Sequence, residues 1–341
     1  MLGSNFSRYL LVFSFAFLLG EAVSSAVVFA EDKGGRWRAP EEADVDDEAE
    51  EEDEEEAEAS EKGADLKIVD ADSEKAPKAE EVDAPKGKPK IEPGMPTPAA
   101  AVVPAGENLT VTYVKPSDKS YNELATVLKE SRGIDEIVQA VNETYKFPRI
   151  EVVFDLCGQE NAFYDPSSRR IILCYELVAG LAEGFRKDEE LTDDEVGVQV
   201  IASLIFTFFH ELGHAAVDVF DLPVTGNEED AVDRFATLIL LAGNKTNSED
   251  NDTDLADSAI GSFDLDTAES LEDMDFADEH PVNEQRWFTM ACLMVGSDPN
   301  RYEYLVGDNG LPEGRAGACP AEFEKIQRSW NQLLKPHLRQ S

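Results

Sequence analysis

The sequence predicts an α+β domain in which a small sheet packs on a buried helix, with a second, acid-bearing helix close by. Three observations predict it: short branched and apolar runs near positions 109, 150 and 170, an almost wholly apolar helical stretch ending at Phe209, and an acidic helical segment one turn of chain later.

The chain has 341 residues, with 72 acidic side chains against 30 Lys and Arg and a formal charge of −42. A surface this negative repels nucleic acid, so a phosphate-neutralising function is excluded. Four cysteines in a chain of this length also exclude a cysteine-stapled miniprotein. Arg8, the apolar run Tyr9 to Leu19 and the small residues from Ala22 to Ala30 have the layout of a secretory signal over residues 1–30. Glu21 interrupts the run before the roughly 18 residues a spanning helix needs, which favours cleavage over a membrane anchor. The expected location is extracytoplasmic, either secreted or periplasmic.

Glu41 to Glu58 holds fourteen acids in eighteen positions, and a Lys-, Pro- and Ala-rich stretch follows. Residues 31–104 are therefore expected to stay disordered, since they carry too little apolar area to offset the entropy of ordering. A second block, Glu249 to Glu279, holds thirteen acids and no base, and is expected to be an unpacked insertion, 249–279, in a domain spanning 105–341. Neither block has the Gly-containing spacing of an EF-hand loop.

Within the domain, Leu109, Val111 and Tyr113 alternate with Thr110 and Thr112 as a strand, and Ile134, Ile137, Val138, Val141 and Tyr145 recur at helical spacing. Ile150 to Leu156 and Arg170 to Tyr175 read as strands. The turn residues Asp165-Pro166-Ser167 between them predict a hairpin. In an exported protein Cys157 and Cys174 can clip these strands together, and Cys292 and Cys319 would form a second bridge. Other pairings and thiolate metal binding stay open, although no CxxC spacing favours a cysteine zinc site. Thr192-Asp193-Asp194-Glu195 is a capping box, with Leu191 and Val196 as its hydrophobic staple. The helix it starts runs through Val200 to Phe209, apolar almost all round and hence buried.

At the far end of this helix stands His210-Glu211-Leu212-Gly213-His214, an HExxH motif. Imidazoles four residues apart lie about 40° apart around a helix and one turn along it, so both can reach one ion. Glu211 projects beside them and can act as the base for a metal-activated water. A metzincin would place Gly three residues and His or Asp six residues after His214; Val217 and Phe220 stand there instead. A glutamate-type zincin takes its third ligand from a second helix, and Glu229-Asp230-Ala231-Val232-Asp233 supplies the ExxxD pattern. Glu229 is the expected ligand, Glu228 the rival, and Asp233 the carboxylate that hydrogen-bonds the free nitrogen of a ligating histidine. Asp221-Leu222-Pro223-Val224-Thr225-Gly226 is the turn that folds one helix back on the other. His280, before a helix containing Arg286, is read as a donor to a developing oxyanion; a histidine at a helix start and a third zinc ligand are its alternatives. His337 carries no functional reading.

From about Tyr113 to His337 the chain resembles a family of exported bacterial metallopeptidases defined largely by sequence. The resemblance rests on Cys157-Gly158 with Asn161-Ala162-Phe163-Tyr164, on Ile172-Leu173-Cys174-Tyr175-Glu176 and on HELGH. It rests further on Glu229 to Asp233, on Glu279-His280-Pro281 with Arg286, and on Cys319-Pro320 before Trp330. It implies a zinc-dependent peptidase with a glutamate third ligand, more distantly similar to the membrane CAAX-processing and stress-protease zincins. The acidic blocks look like additions to that pattern.

The resulting expectation is a zincin-like domain: Zn2+ held by His210, His214 and Glu229, Glu211 as general base, a peptide or protein as substrate, and an edge strand near Ile171 to Cys174 aligning it. No nucleic acid partner is expected, and no stable membrane span unless the signal is uncleaved. The alternative is an idle metal-binding or adhesive protein on the same fold. The intact Glu211 argues against it, because a purely structural site needs no base.

Overall fold

A computed structural model describes residues 108–244, 254–265, 281–307 and 310–339. The expected signal and disordered segment, residues 1–30 and 31–104, lie outside these, as do residues 249–253 and 266–279 of the expected insertion.

β1 (Leu109–Tyr113) leads into α1 (Asn122–Ser131) and α2 (Gly133–Thr144), which are separated by Arg132 in the left-handed conformation (φ 57°). Then follow β2 (Ile150–Asp155), β3 (Ala162–Asp165) and β4 (Arg170–Cys174), and α3 (Tyr175–Arg186) starts directly from the last strand. The long helix α4 (Asp193–Phe220) is followed by α5 (Glu228–Asn244), α6 (Leu255–Ile260), α7 (Asn283–Ser297), the short α8 (Glu313–Ala316) and α9 (Cys319–Leu334). The class is α+β with a small mixed sheet.

The sheet order is β1-β2-β4-β3: β1 and β4 both run parallel to β2, and β3 alone is antiparallel, beside β4. This corrects the expected hairpin. The turn at Asp165-Pro166-Ser167 is real, but it joins β3 to β4, with Phe163 opposite Ile172 and Tyr164 opposite Ile171. A strand of four residues, Ala162–Asp165, returns the chain so that β2 and β4 can lie side by side and parallel. The expected substrate-aligning strand is corrected as well: β4 is paired on both sides, and the edge belongs to β3.

One face of the sheet carries Leu109, Ile150, Val152, Phe154, Ile171 and Leu173, all of them buried in the core that the helices share. The alternation of each strand puts these side chains on that face. α4 packs across β3 and β4 and is enclosed by α3, α5 and α6. Its capping box is reciprocal: Glu195 N–H donates to Thr192 Oγ1 (3.3 Å), and Thr192 N–H donates to Glu195 Oε2 (2.8 Å). By length and hydropathy α4 could cross a membrane, but most of that stretch is buried in protein, as befits a core helix. It runs six residues past the motif and ends at Asp221, a left-handed cap (φ 50°). There the His337 ring stacks on Phe220 with centroids 3.8 Å apart, and its backbone carbonyl accepts from Lys146 N–H (2.8 Å). His337 is thus a packing residue, and burial holds its pKa below the usual imidazole value.

Cys157 is disulfide-bonded to Cys174, tying the ends of β2 and β4, and Cys292 to Cys319, tying α7 to the start of α9. The expectation of an unpacked insertion is corrected only for its described part, residues 254–265. Leu255, Ala256, Ala259, Ile260 and Phe263 are buried, and Asp254 caps α6 by accepting from the backbone N–H groups of Ala256 and Asp257. The apolar residues recur at helical spacing, a stripe that the high acid count of the block conceals.

Candidate metal centre

α4 and α5 build the site between them. His210 and His214 project from one face of α4, and the turn after Asp221 brings the first residues of α5 against that face. His210, Glu211, Glu229 and Asp233 are 4%, 6%, 9% and 4% exposed, so four polar side chains are gathered in an otherwise apolar interior. Burial of that kind persists only where the groups satisfy one another or hold an ion.

The Nε2 atoms of His210 and His214 face each other at 3.2 Å. Glu229 Oε2 lies 3.1 Å from the first, and Glu229 Oε1 lies 3.3 Å from the second. The outer nitrogens are both engaged: His210 Nδ1 is 2.7 Å from Asp233 Oδ1, and His214 Nδ1 is 2.8 Å from Glu228 Oε1. A carboxylate can only accept, so each Nδ1 donates to its acid, and the Nε2 atoms, which face Glu229, are the positions at which a metal ion would replace a proton. Three Lewis bases therefore converge on one point. Ligands placed about 2.05 Å from a tetrahedral zinc stand roughly 3.3 Å apart, close to the 3.2 Å between the two Nε2 atoms and to the distance from each of them to its nearer Glu229 oxygen. The donor set fits a divalent metal, and His210, His214 and Glu229 could hold one.

The electrostatics point the same way. Burial opposes protonation of His214, yet Glu229 and Glu228 outweigh it and push its pKa up to about 9. Burial likewise opposes protonation of His210, and Asp233 and Glu229 reverse the balance. The negative potential that attracts these protons would attract a cation in their place. Burial raises the pKa of Glu211; the two imidazoles and the Tyr164 backbone N–H, which donates to its carboxylate, act against that. Burial also disfavours the Asp233 anion, but Arg286 and His210 hold its carboxyl well below the usual range.

The structure thus brings together His210, Glu211, His214, Glu229 and Asp233. Glu228, the rival ligand, lies instead on the outer nitrogen of His214. His280 lies outside the described residues. Three features escaped the sequence reading: the orienting position of Glu228, the Tyr164 N–H on Glu211, and Arg286 on Asp233, where Nε and Nη2 each lie 2.8 Å from a carboxylate oxygen. The first had a signal, since each ligating histidine needs an acceptor for its second nitrogen and two acids flank Glu229. The other two depend on which strand and which helix the fold delivers.

No curated protein and no solved structure matches the chain. A family model does, over residues 113–334, well over half of the sequence. By that match the chain belongs to the DUF4344 family, whose description reads "Putative metallopeptidase".

Proposed function

We propose that the protein is a zinc-dependent peptidase with a glutamate-type zincin architecture, its metal held by His210, His214 and Glu229. The observation that carries this reading is the convergence of two imidazole Nε2 atoms, 3.2 Å apart, and the Glu229 carboxylate, whose two oxygens lie 3.1 and 3.3 Å from them, with a second buried carboxylate, Glu211, beside them. Two histidines and one glutamate form the donor set of catalytic zinc sites that keep a fourth position open. Zinc held there would polarise a peptide carbonyl and acidify a water molecule.

The chain's own groups do the rest. Glu211, with its pKa raised by burial, accepts the proton of the attacking water and delivers it to the leaving amine. The N–H of Tyr164 keeps that carboxylate oriented. This N–H belongs to the edge strand β3, so the side of β3 away from β4 faces Glu211. An extended peptide pairing with that edge would pass in front of the site, its backbone supplying affinity and its side chains specificity. His280 enters the proposal as an oxyanion donor on its sequence position alone.

The chain is further proposed to be exported, with residues 1–30 as signal and 31–104 as a solvated acidic segment ahead of the 105–341 domain. The two disulfides support an oxidising compartment, secreted or periplasmic.

The test is incubation of purified protein with a mixed peptide library, with and without a chelator. Cleavage that a chelator abolishes and zinc restores is the expected result. A zinc-loaded protein that cuts nothing would favour an idle metal-binding role and overturn the peptidase reading.

A further inference from the structure

We propose that Arg286 is a positioning residue for the metal ligand His210, acting through Asp233 as the anchor of a closed ring of side chains. The inference rests on the metal site described above and adds a residue to it. Arg286 comes from α7, which contributes none of the ligands, and reaches Asp233 with two hydrogen bonds, Nε to Oδ2 and Nη2 to Oδ1, both 2.8 Å. A carboxylate gripped through both oxygens by a planar guanidinium cannot turn about its own axis. The grip therefore sets where Oδ1 presents its remaining lone pair. That lone pair receives His210 Nδ1 at 2.7 Å. The direction of the imidazole plane, and with it the Nε2 lone pair, follows from the position of the guanidinium.

Arg286 is itself fixed from behind. Its guanidinium carbon lies 4.7 Å from the ring centroid of Phe263, in the segment that follows α6. Phe263 packs edge-on against Phe206 (5.4 Å between centroids), and Phe206 lies one helical turn before His210 on α4, with centroids 6.5 Å apart. His210, Asp233, Arg286, Phe263 and Phe206 close a circuit through α4, α5, α7 and the segment after α6. In a closed circuit no member can reorient without breaking two contacts. The guanidinium also balances the charge of a carboxylate that is 4% exposed, whose anion would otherwise be costly so far from water.

The other histidine lacks this support. His214 leans on Glu228, whose side chain is 43% exposed. The two ligands therefore differ in rigidity: His210 is preorganised, and His214 is held by a solvated partner.

The test measures zinc affinity by competition with a chromophoric chelator on the whole protein, for wild type, Arg286→Gln, Asp233→Asn and the double variant, with thermal unfolding of each zinc-free protein. If Arg286 acts through Asp233, Arg286→Gln weakens zinc binding about 10- to 100-fold, and the double variant binds no more weakly than Asp233→Asn alone. A merely structural Arg286 would lower the unfolding temperature and leave zinc affinity unchanged. That result, or single effects that multiply in the double variant, would overturn the proposal. Should Arg286→Gln fail to unfold cooperatively, Arg286→Lys keeps the charge and loses the fork; several-fold weaker binding supports the proposal, and wild-type affinity overturns it. A folded wild type that binds no zinc would instead bring down the metallopeptidase reading, a separate outcome.

Discussion

Gly213 lies so close to Val232 that a Cβ atom at position 213 would stand 2.8 Å from both Cβ and Cγ1 of Val232. Val232 is a stiff, fully buried β-branched side chain and cannot step aside. The glycine inside HExxH thus sets the approach of α5 to α4, and that approach carries Glu229 and Asp233 to the histidines. Gly213→Ala should cost about 1–3 kcal/mol through overpacking, despite the better helix propensity of alanine. It should also weaken metal binding. Chemical denaturation and metal analysis would check both, and a variant as stable and as metal-rich as wild type would refute the close-packing role.

Glu211→Gln keeps the shape of the side chain and an oxygen to accept from Tyr164, but removes the base. The expected outcome is full metal content with hydrolysis reduced by about 10²- to 10⁴-fold, the usual scale for general acid–base catalysis. Activity at the wild-type level would remove Glu211 from the chemistry.

Glu229→Ala leaves two imidazoles and no carboxylate at the convergence point. Most of the bound metal should be lost, while the zinc-free variant unfolds near the temperature of the zinc-free wild type. Unchanged metal content would reassign the third ligand.

Replacing Cys292 and Cys319 together by alanine opens a loop whose ends are 27 residues apart. Loop entropy alone assigns such a bridge about 3.5 kcal/mol. Since α7 carries Arg286 as well as Cys292, the variant should also bind metal less tightly. Thermal unfolding and metal titration measure the two effects. If neither moves, the bridge does not support the site.

Several elements were legible in the chain because their causes are local. The α4 start is written in Thr192 and Glu195, its burial in the apolar run to Phe209, and the histidine pair in a spacing that only a helix makes useful. The sheet was not legible in the same way. β2 and β4 were found but paired wrongly, since parallel partners are chosen by packing between distant segments and leave no mark in either strand. β3 is short and lies between a disulfide and a turn, so the sequence showed a loop. In the 254–264 stretch five buried apolar residues form the stripe, and the thirteen acids of the surrounding 249–279 block conceal it.

What the linear order of residues settles here is the chemistry within reach of one helix: two imidazoles a turn apart, a carboxylate next to the first, and an acid-rich helix near enough in sequence to return to them. Periodicity and capping are short-range, so they survive in the sequence. The strand that faces Glu211, the acids that take the outer imidazole nitrogens and the arginine that grips Asp233 come from positions up to 76 residues from His210. Their meeting depends on how the helices and the sheet share one core, and that is decided by packing over the whole domain.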